Sequence, residues 1–296
     1  MDRRYSNAIT KDHMKSHYPN LNEKMLELVL QCPLPEGCKS PKEIPGMVWI
    51  PPGAFVMGDL WGNGQPDERP VWKLNLEGFW IGQATVTMDE FKDYVKNQAV
   101  SLGGEFPELL KQAKPDEPLH SVIWKEALGF CEWKNRQYPG MEVDLPTEAE
   151  WEKAAGWNLV NPDFELGRKY EFATGEDVTS DHANFNREHS YALKAKQFAP
   201  GVNGLLGMSG NLWEWCRDVY DPDFYATHPD VVANPVSENP PHVEEQGEGR
   251  FRVVLKGGSW ANTKRRLRVS NRLGSPPKTR NDNFGFRLVI RELNHG

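Results

Sequence analysis

Cysteine is scarce in this chain. There are four, Cys32, Cys38, Cys131 and Cys216, and no two form a Cys-x-x-Cys pair. That spacing argues against a thiolate zinc site. Beyond Cys216 there is no cysteine at all. No apolar run approaches the roughly 20 residues that span a bilayer. The start of the chain, Met-Asp-Arg-Arg-Tyr-Ser-Asn, lacks the apolar core of a secretory signal. These absences lead us to expect a reduced, cytoplasmic protein with free thiols and no membrane partner. A basic excess is missing too. The net charge of −7 favours solubility and speaks against nucleic acid as a partner. There is no internal repeat and no low-complexity tract.

The 296 residues suffice for one large domain or two ordinary ones. Eleven Trp, 26 Gly and 23 Pro point to a loop-rich fold pinned by large aromatics, with short strands rather than long helices. Residues 1–43 read as an N-terminal appendage with one short helix over 22–30. His13 and His17 are four apart within it and read as surface histidines. The folded domain is expected over 44–292, with short strands at 47–50 and 54–57. Trp72, Leu74 and Leu76 alternate with polar neighbours as in a half-buried strand. Thr87-Met-Asp-Glu90 and Thr147-Glu-Ala-Glu150 are capping boxes, each opening a helix. A third helix is expected over 123–136. Ala127, Phe130, Cys131 and Lys134 mark its spacing, which makes Cys131 a core residue rather than a nucleophile. Residues 158–200 show little periodicity. They hold His182, Asn184, Asn186, Glu188 and His189, a polar group that either binds an ion or is a solvated loop.

The run Gly204-Leu-Leu-Gly-Met-Ser-Gly210-Asn-Leu-Trp-Glu-Trp215-Cys-Arg-Asp218 organises the rest. On a strand Trp213 and Trp215 share one face, and Glu214 points to the other. A buried Glu214 needs an arginine, a pair of backbone amides or a metal ion. Arg268, Arg272 and Arg287 read as guanidinium braces for carboxylates such as Glu214 or Asp218. Charge is unevenly placed. Between Asp218 and Glu248 lie eight acidic residues and no Lys or Arg; between Arg250 and Arg291 lie twelve basic residues and one acid, Asp282. Residues 218–249 are expected to form an acidic surface insertion. Either the two blocks neutralise each other or the basic block holds an anionic ligand.

Several motifs then combine. They are Ile50-Pro-Pro-Gly-Ala-Phe-Val-Met-Gly58, Phe79-Trp-Ile-Gly82 leading to Val86-Thr87, and Leu145-Pro-Thr-Glu-Ala-Glu-Trp-Glu152. The organising run follows, then Lys256-Gly-Gly-Ser-Trp260 and Asn283-Phe-Gly-Phe-Arg287. In this order they make the chain similar to the formylglycine-generating enzyme (sulfatase-modifying factor) family. The resemblance implies an α+β fold of the C-type-lectin-like type, with short twisted antiparallel sheets, few helices and much irregular loop.

What it implies about chemistry is mixed. The founding enzymes oxidise a client cysteine with copper held by two cysteines after the Gly-Gly-Ser motif. Those positions fall at Asn262 and Leu267 here, and neither supplies a thiolate, so no copper is expected. A thiol mechanism would have to use Cys131 or Cys216. The family's calcium sites carry over in part. Asn184 and Phe185 match ligands of one site; Gly210, Leu212 and Glu214 match ligands of the other, where Gly207 replaces a side-chain ligand. Calcium is thus a candidate ion. Iron stays open, with His182, His189, His242, Glu244 and Glu188 as candidate ligands.

Two functions follow from the resemblance. One is a binding member of the family, presenting Ser259, Trp260, Asn262, Lys264, Asn271 and Lys278 to an unknown protein, peptide or small molecule. The variable proteins of diversity-generating retroelements resemble the family and display residues after Gly-Gly-Ser-Trp, which would suit residues 261–281. The other is a metal-dependent oxidase or modifying enzyme, like the family's pyoverdine-maturation relative.

Overall fold

A computed structural model describes residues 15–16, 18, 21–32, 39–98, 102–228, 233–237 and 251–293. Among these, ten short strands and six α-helices make an α+β fold. The first four-stranded sheet has the order β1 (Met47–Ile50), β4 (Phe79–Gly82), β10 (Val289–Glu292), β5 (Met141–Asp144). A hairpin of β2 (Gly53–Met57) and β3 (Trp72–Leu76) stands beside it. The second four-stranded sheet has the order β8 (Leu273–Ser275), β7 (Val253–Lys256), β6 (Trp213–Val219), β9 (Phe284–Gly285). Pairing is antiparallel except between β6 and β9.

Helices start where the local chemistry says they should. Asn22 caps α1 (Glu23–Leu30), its side chain accepting from Met25 N at 2.9 Å. At α2 (Met88–Gln98) the Glu90 carboxylate accepts from Thr87 N at 2.8 Å, and Thr87 Oγ1 from Glu90 N at 3.3 Å. Thr147 and Glu150 repeat the pattern at the start of α5 (Glu148–Gly156). Elements with no expectation attached include α3 (Phe106–Gln112), β5 and β8. The helix expected over 123–136 is α4 (Trp124–Asn135), with Ala127, Phe130 and Cys131 buried.

The first 43 residues are not all peripheral. Tyr18, Leu26, Val29 and Cys32 are buried in the same apolar cluster as Phe55, Trp151 and Trp157. The Tyr18 hydroxyl donates to Lys169 O at 2.5 Å and accepts from Lys169 N at 3.0 Å. His13 and His17 lie outside the described residues.

Strand β6 divides the interior. Trp213 and Trp215 face an apolar cluster with Phe130, Leu255 and Phe284; Trp215 meets Phe284 edge-on at 5.4 Å. Glu214 faces the other side, where buried ions run between the sheets. Arg287 grips it with two bonds, Nε to Oε2 at 2.6 Å and Nη2 to Oε1 at 2.8 Å, and Trp151 Nε1 adds a third at 2.8 Å. Glu152 lies between Lys169 (2.7 Å) and Lys256 (2.9 Å). Arg272 forks onto Glu148 at 2.7 and 2.9 Å. Arg268 forks onto Glu68 at 2.6 and 2.8 Å, 200 residues away in sequence.

The basic block is therefore neutralised largely from elsewhere. Its partners include Glu68, Glu148, Glu214, Glu126 and Glu150. Among the described residues none of its ion pairs uses a carboxylate of the acidic insertion.

Candidate functional site

The Gly-Gly-Ser-Trp turn follows β7. Gly258 has φ +73°, and a Cβ there would sit 2.8 Å from Arg266 O and 2.9 Å from the Leu267 side chain. Only glycine lets the two segments approach so closely. Ser259 is fully buried. Its hydroxyl donates to Asn262 Oδ1 at 2.7 Å and accepts from Asn283 Nδ2 at 2.9 Å, while Ser259 N also donates to Asn262 Oδ1 at 3.0 Å. The Asn262 side chain is consequently locked back onto its own turn. Leu267 is buried with Phe172, Val178, Ala183 and Phe185. The two positions that the resemblance equates with copper ligands are thus a turn brace and an apolar plug.

A loop over residues 184–193 folds against this turn. Asn184 Nδ2 donates to Tyr191 O at 2.8 Å. Asn211, held at φ +65°, accepts from Leu193 N at 2.8 Å and donates to Leu193 O at 3.0 Å. Arg187 N donates to Trp260 O, and Asn186 N to Asn262 O, both at 2.8 Å. The Trp260 ring packs with Ala192 and Leu212, with the Arg187 guanidinium 5.8 Å from its centroid. The loop then displays Tyr191, 60% exposed, beside the His189 ring. Three buried atoms around the turn have no hydrogen-bond partner among the described residues: Asn184 Oδ1, Trp260 Nε1 and Asn283 Oδ1.

The expected ligand-binding residues do not share one face. Ser259, Trp260 and Asn262 adjoin each other as described. Asn271 is buried and donates to Glu68 Oε1 at 3.1 Å. Lys264 is exposed and pairs with Asp177. Lys278 is exposed.

The two calcium sets differ in what they offer. Glu214 meets a cation already: both its oxygens accept from Arg287. A dication beside Gly210 and Leu212 would face that guanidinium, so this set does not fit the ion. The Asn184 set offers one unengaged oxygen, Asn184 Oδ1, but the Phe185 carbonyl accepts from Glu188 N at 3.1 Å and the Glu188 carboxylate from Ser180 Oγ at 3.0 Å. Calcium seeks six to eight oxygens, so this set is a fragment of a site. His182 Nδ1 lies 3.0 Å from Thr179 Oγ1. His242 and Glu244 lie outside the described residues. Among those described, no group of three or more His, Cys, Asp or Glu is placed to hold a metal.

The thiols are quiet. Cys32, Cys131 and Cys216 are buried and, among the described residues, unpaired. Burial pushes the Cys32 thiol up to about 12 and the other two well above the ordinary thiol range. Asn211, Asn283 and Arg187 were not singled out as site residues. For the first two a signal existed, since each stands in a quoted motif next to a glycine or an aromatic.

Comparison with known proteins fits this architecture. The family described as "Sulfatase-modifying factor enzyme 1-like domain" matches residues 35–292. The chain belongs to this family. It is 29% identical over 309 residues to the formylglycine-generating enzyme of Streptomyces coelicolor, covering 84% of this chain and 90% of that one. It is also 29% identical over 259 residues to a Chlamydia pneumoniae protein named serine/threonine-protein kinase pkn1, covering 82% of this chain but only 37% of that protein. Among solved structures, PvdO from Pseudomonas aeruginosa superposes with a TM-score of 0.63 at 23% identity, covering 85% of this chain and 100% of that one. Treponema denticola variable protein 1 gives 0.60 at 20% identity, covering 83% and 94%. Both structures share the fold. No helix among the described residues is long and apolar enough to cross a membrane.

Proposed function

We propose that the chain is a recognition member of the sulfatase-modifying factor family, without copper-thiolate oxidase activity. One observation carries the reading: Asn262 is tied to Ser259 and Leu267 fills an apolar cluster, at the positions the resemblance assigns to copper. Soft copper(I) is held by thiolates, and neither side chain has sulfur. The recognition surface in this reading is the pinned 184–193 loop with the Gly-Gly-Ser-Trp turn. Arg187 and Tyr191 reach solvent there from a backbone fixed by Asn184 and Asn211, so little ordering entropy is lost on binding. The ligand class is a protein or peptide, for which an exposed tyrosine and arginine suit anchoring. Calcium is not required.

Diversified display belongs to the same proposal. Residues 263–266 are all exposed, whereas 267–272 are all buried. Variation among sibling copies would therefore concentrate at 263–266 and spare 267–272. An oxidase of the PvdO type is the second reading, favoured by the three unpartnered buried atoms around the turn, which a bound substrate would satisfy.

The test has two arms. Protein loaded with copper(I) and given a cysteine-bearing peptide is expected to consume no oxygen above the protein-free control. Peptides selected from a displayed library on the immobilised protein are expected to bind at least tenfold more weakly to Tyr191→Ala. Copper-dependent or iron-dependent turnover would overturn the reading, as would selected peptides indifferent to Tyr191.

A further inference from the structure

Arg266, the residue before Leu267, lines an open depression of about 610 Å3 on a part of the surface not used above. None of its lining residues belongs to the 184–193 loop or the Gly-Gly-Ser-Trp turn. We propose that this depression binds a small molecule carrying one phosphate or carboxylate group on an apolar body.

The argument starts from uncommitted guanidinium groups. Arg252 and Arg266 are exposed, and among the described residues neither meets a carboxylate at ion-pair distance. Arg252 donates Nη1 to Gly274 O at 2.9 Å, leaving its remaining N–H groups free among the described residues. Arg69 is more committed: its Nη2 donates to Gly64 O at 3.1 Å, and its Nε is buried with no hydrogen-bond partner among the described residues. Its carboxylate neighbour, Asp59, is 3.8 Å away and already accepts from the backbone N–H groups of Trp61, Gly62 and Gly64. Arg272 also lines the wall but is spent on Glu148.

Charge and shape limit the ligand. Arg69 is offset by Asp59 at 3.8 Å, so Arg252 and Arg266 stand against two lining carboxylates, Asp67 and Asp223. Asp67 accepts from the Tyr220 hydroxyl at 2.6 Å. The lining therefore carries no net positive charge, and its two free guanidinium forks match one oxyanion rather than a polyanion. Arginine forks suit phosphate and carboxylate geometry. Pro66, Pro222 and Leu273 supply apolar wall. The volume falls in the range of small-molecule sites.

The experiment is calorimetric titration of the full chain at low salt with phenyl phosphate, phenylacetate and inorganic phosphate. One of the aromatic anions is expected to bind at least tenfold more tightly than inorganic phosphate. Which of the two wins identifies the oxyanion. The double variant Arg252→Ala/Arg266→Ala is expected to lose at least tenfold in affinity with an unchanged melting temperature, since both residues are exposed. Lys196→Ala, a surface change elsewhere, should bind as the parent does. No binding of either aromatic anion tighter than about 10 mM would overturn the proposal. Equal binding by the double variant, or inorganic phosphate binding as tightly as both aromatic anions, would overturn it too.

Discussion

On one side of β6, Trp213 and Trp215 pack among aromatic and aliphatic side chains. There Phe130 touches Phe91, Tyr94, Trp133 and Phe286 at ring-centroid distances of 5.4 to 5.8 Å. On the other side Glu214, Glu152 and Glu148 each meet buried cations. Both sides are equally dry, yet they fail differently. An apolar side chain that is trimmed loses contacts in proportion to its size. A buried ion that loses its partner leaves a whole charge uncompensated. The ionic side therefore fixes one arrangement of loops, where the apolar side would tolerate several.

The largest expected effect comes from breaking the ionic side at its most connected point. Glu152→Ala leaves Lys169 without a carboxylate and Lys256 with only Glu148, 3.6 Å away; both lysines are fully buried. We expect about 3–5 kcal/mol of destabilisation by denaturant titration, or failure to fold. Burial works against the Glu152 charge, but the two lysines overcome it and hold the carboxyl below its usual range. A loss under about 1 kcal/mol would erase the contrast between the two sides.

Next is Phe130→Ala on the apolar side, expected to cost about 3–4 kcal/mol through a cavity. Here the intermediate Phe130→Leu should recover most of the loss. A Leu variant as unstable as the Ala variant would mean the apolar side is as exacting as the ionic one.

The smallest effect is a pH slope. Asp218 is buried, accepts from Glu148 N and Ser237 N, and lies near the Glu148 carboxylate. Burial first, then Glu148, raise it to about 7. The unfolded carboxyl titrates near 3.9. The folded state therefore binds the extra proton between those values. Its contribution is fully present below about pH 4 and is lost as pH rises through about 7. Glu68 acts with the opposite sign. Burial pushes it up, but Arg268 and the Gln65 backbone bond hold it at about 2, so its support is lost as pH falls from the usual glutamate range. In Asp218→Asn the slope between pH 4 and 7 should flatten; the parental slope persisting there would reassign it to another group.

Much of this was legible where the signal is local. Thr87 with Glu90 and Thr147 with Glu150 announce their helices within four residues. Trp213 and Trp215 announce which side of β6 is apolar. The brace between Arg287 and Glu214 was among the expected pairings. Arg268 and Arg272 were expected to act as braces, but their partners, Glu68 and Glu148, lie 200 and 124 residues away, and nothing in a linear pattern connects them. Helix α3 is only seven residues long, with Pro107 as its second residue, so it offers too few turns for a periodic signal. The loop over 184–193 has no regular structure, and the asparagines that pin it bond with their side-chain amides to backbone atoms, leaving no hydrophobic pattern to find. The depression around Arg252 and Arg266 was visible only as an excess of positive charge. The sequence does not say which arginines stay unpaired.

Leu267 has a consequence for engineering. A cysteine introduced there would enter a hydrocarbon pocket against Phe172 and Phe185, hard by the backbone of Gly258. Such surroundings disfavour a thiolate, as they do for Cys131 and Cys216. Placing sulfur at positions 262 and 267 would not by itself create a soft-metal grip. The aromatic lining would have to be carved away as well.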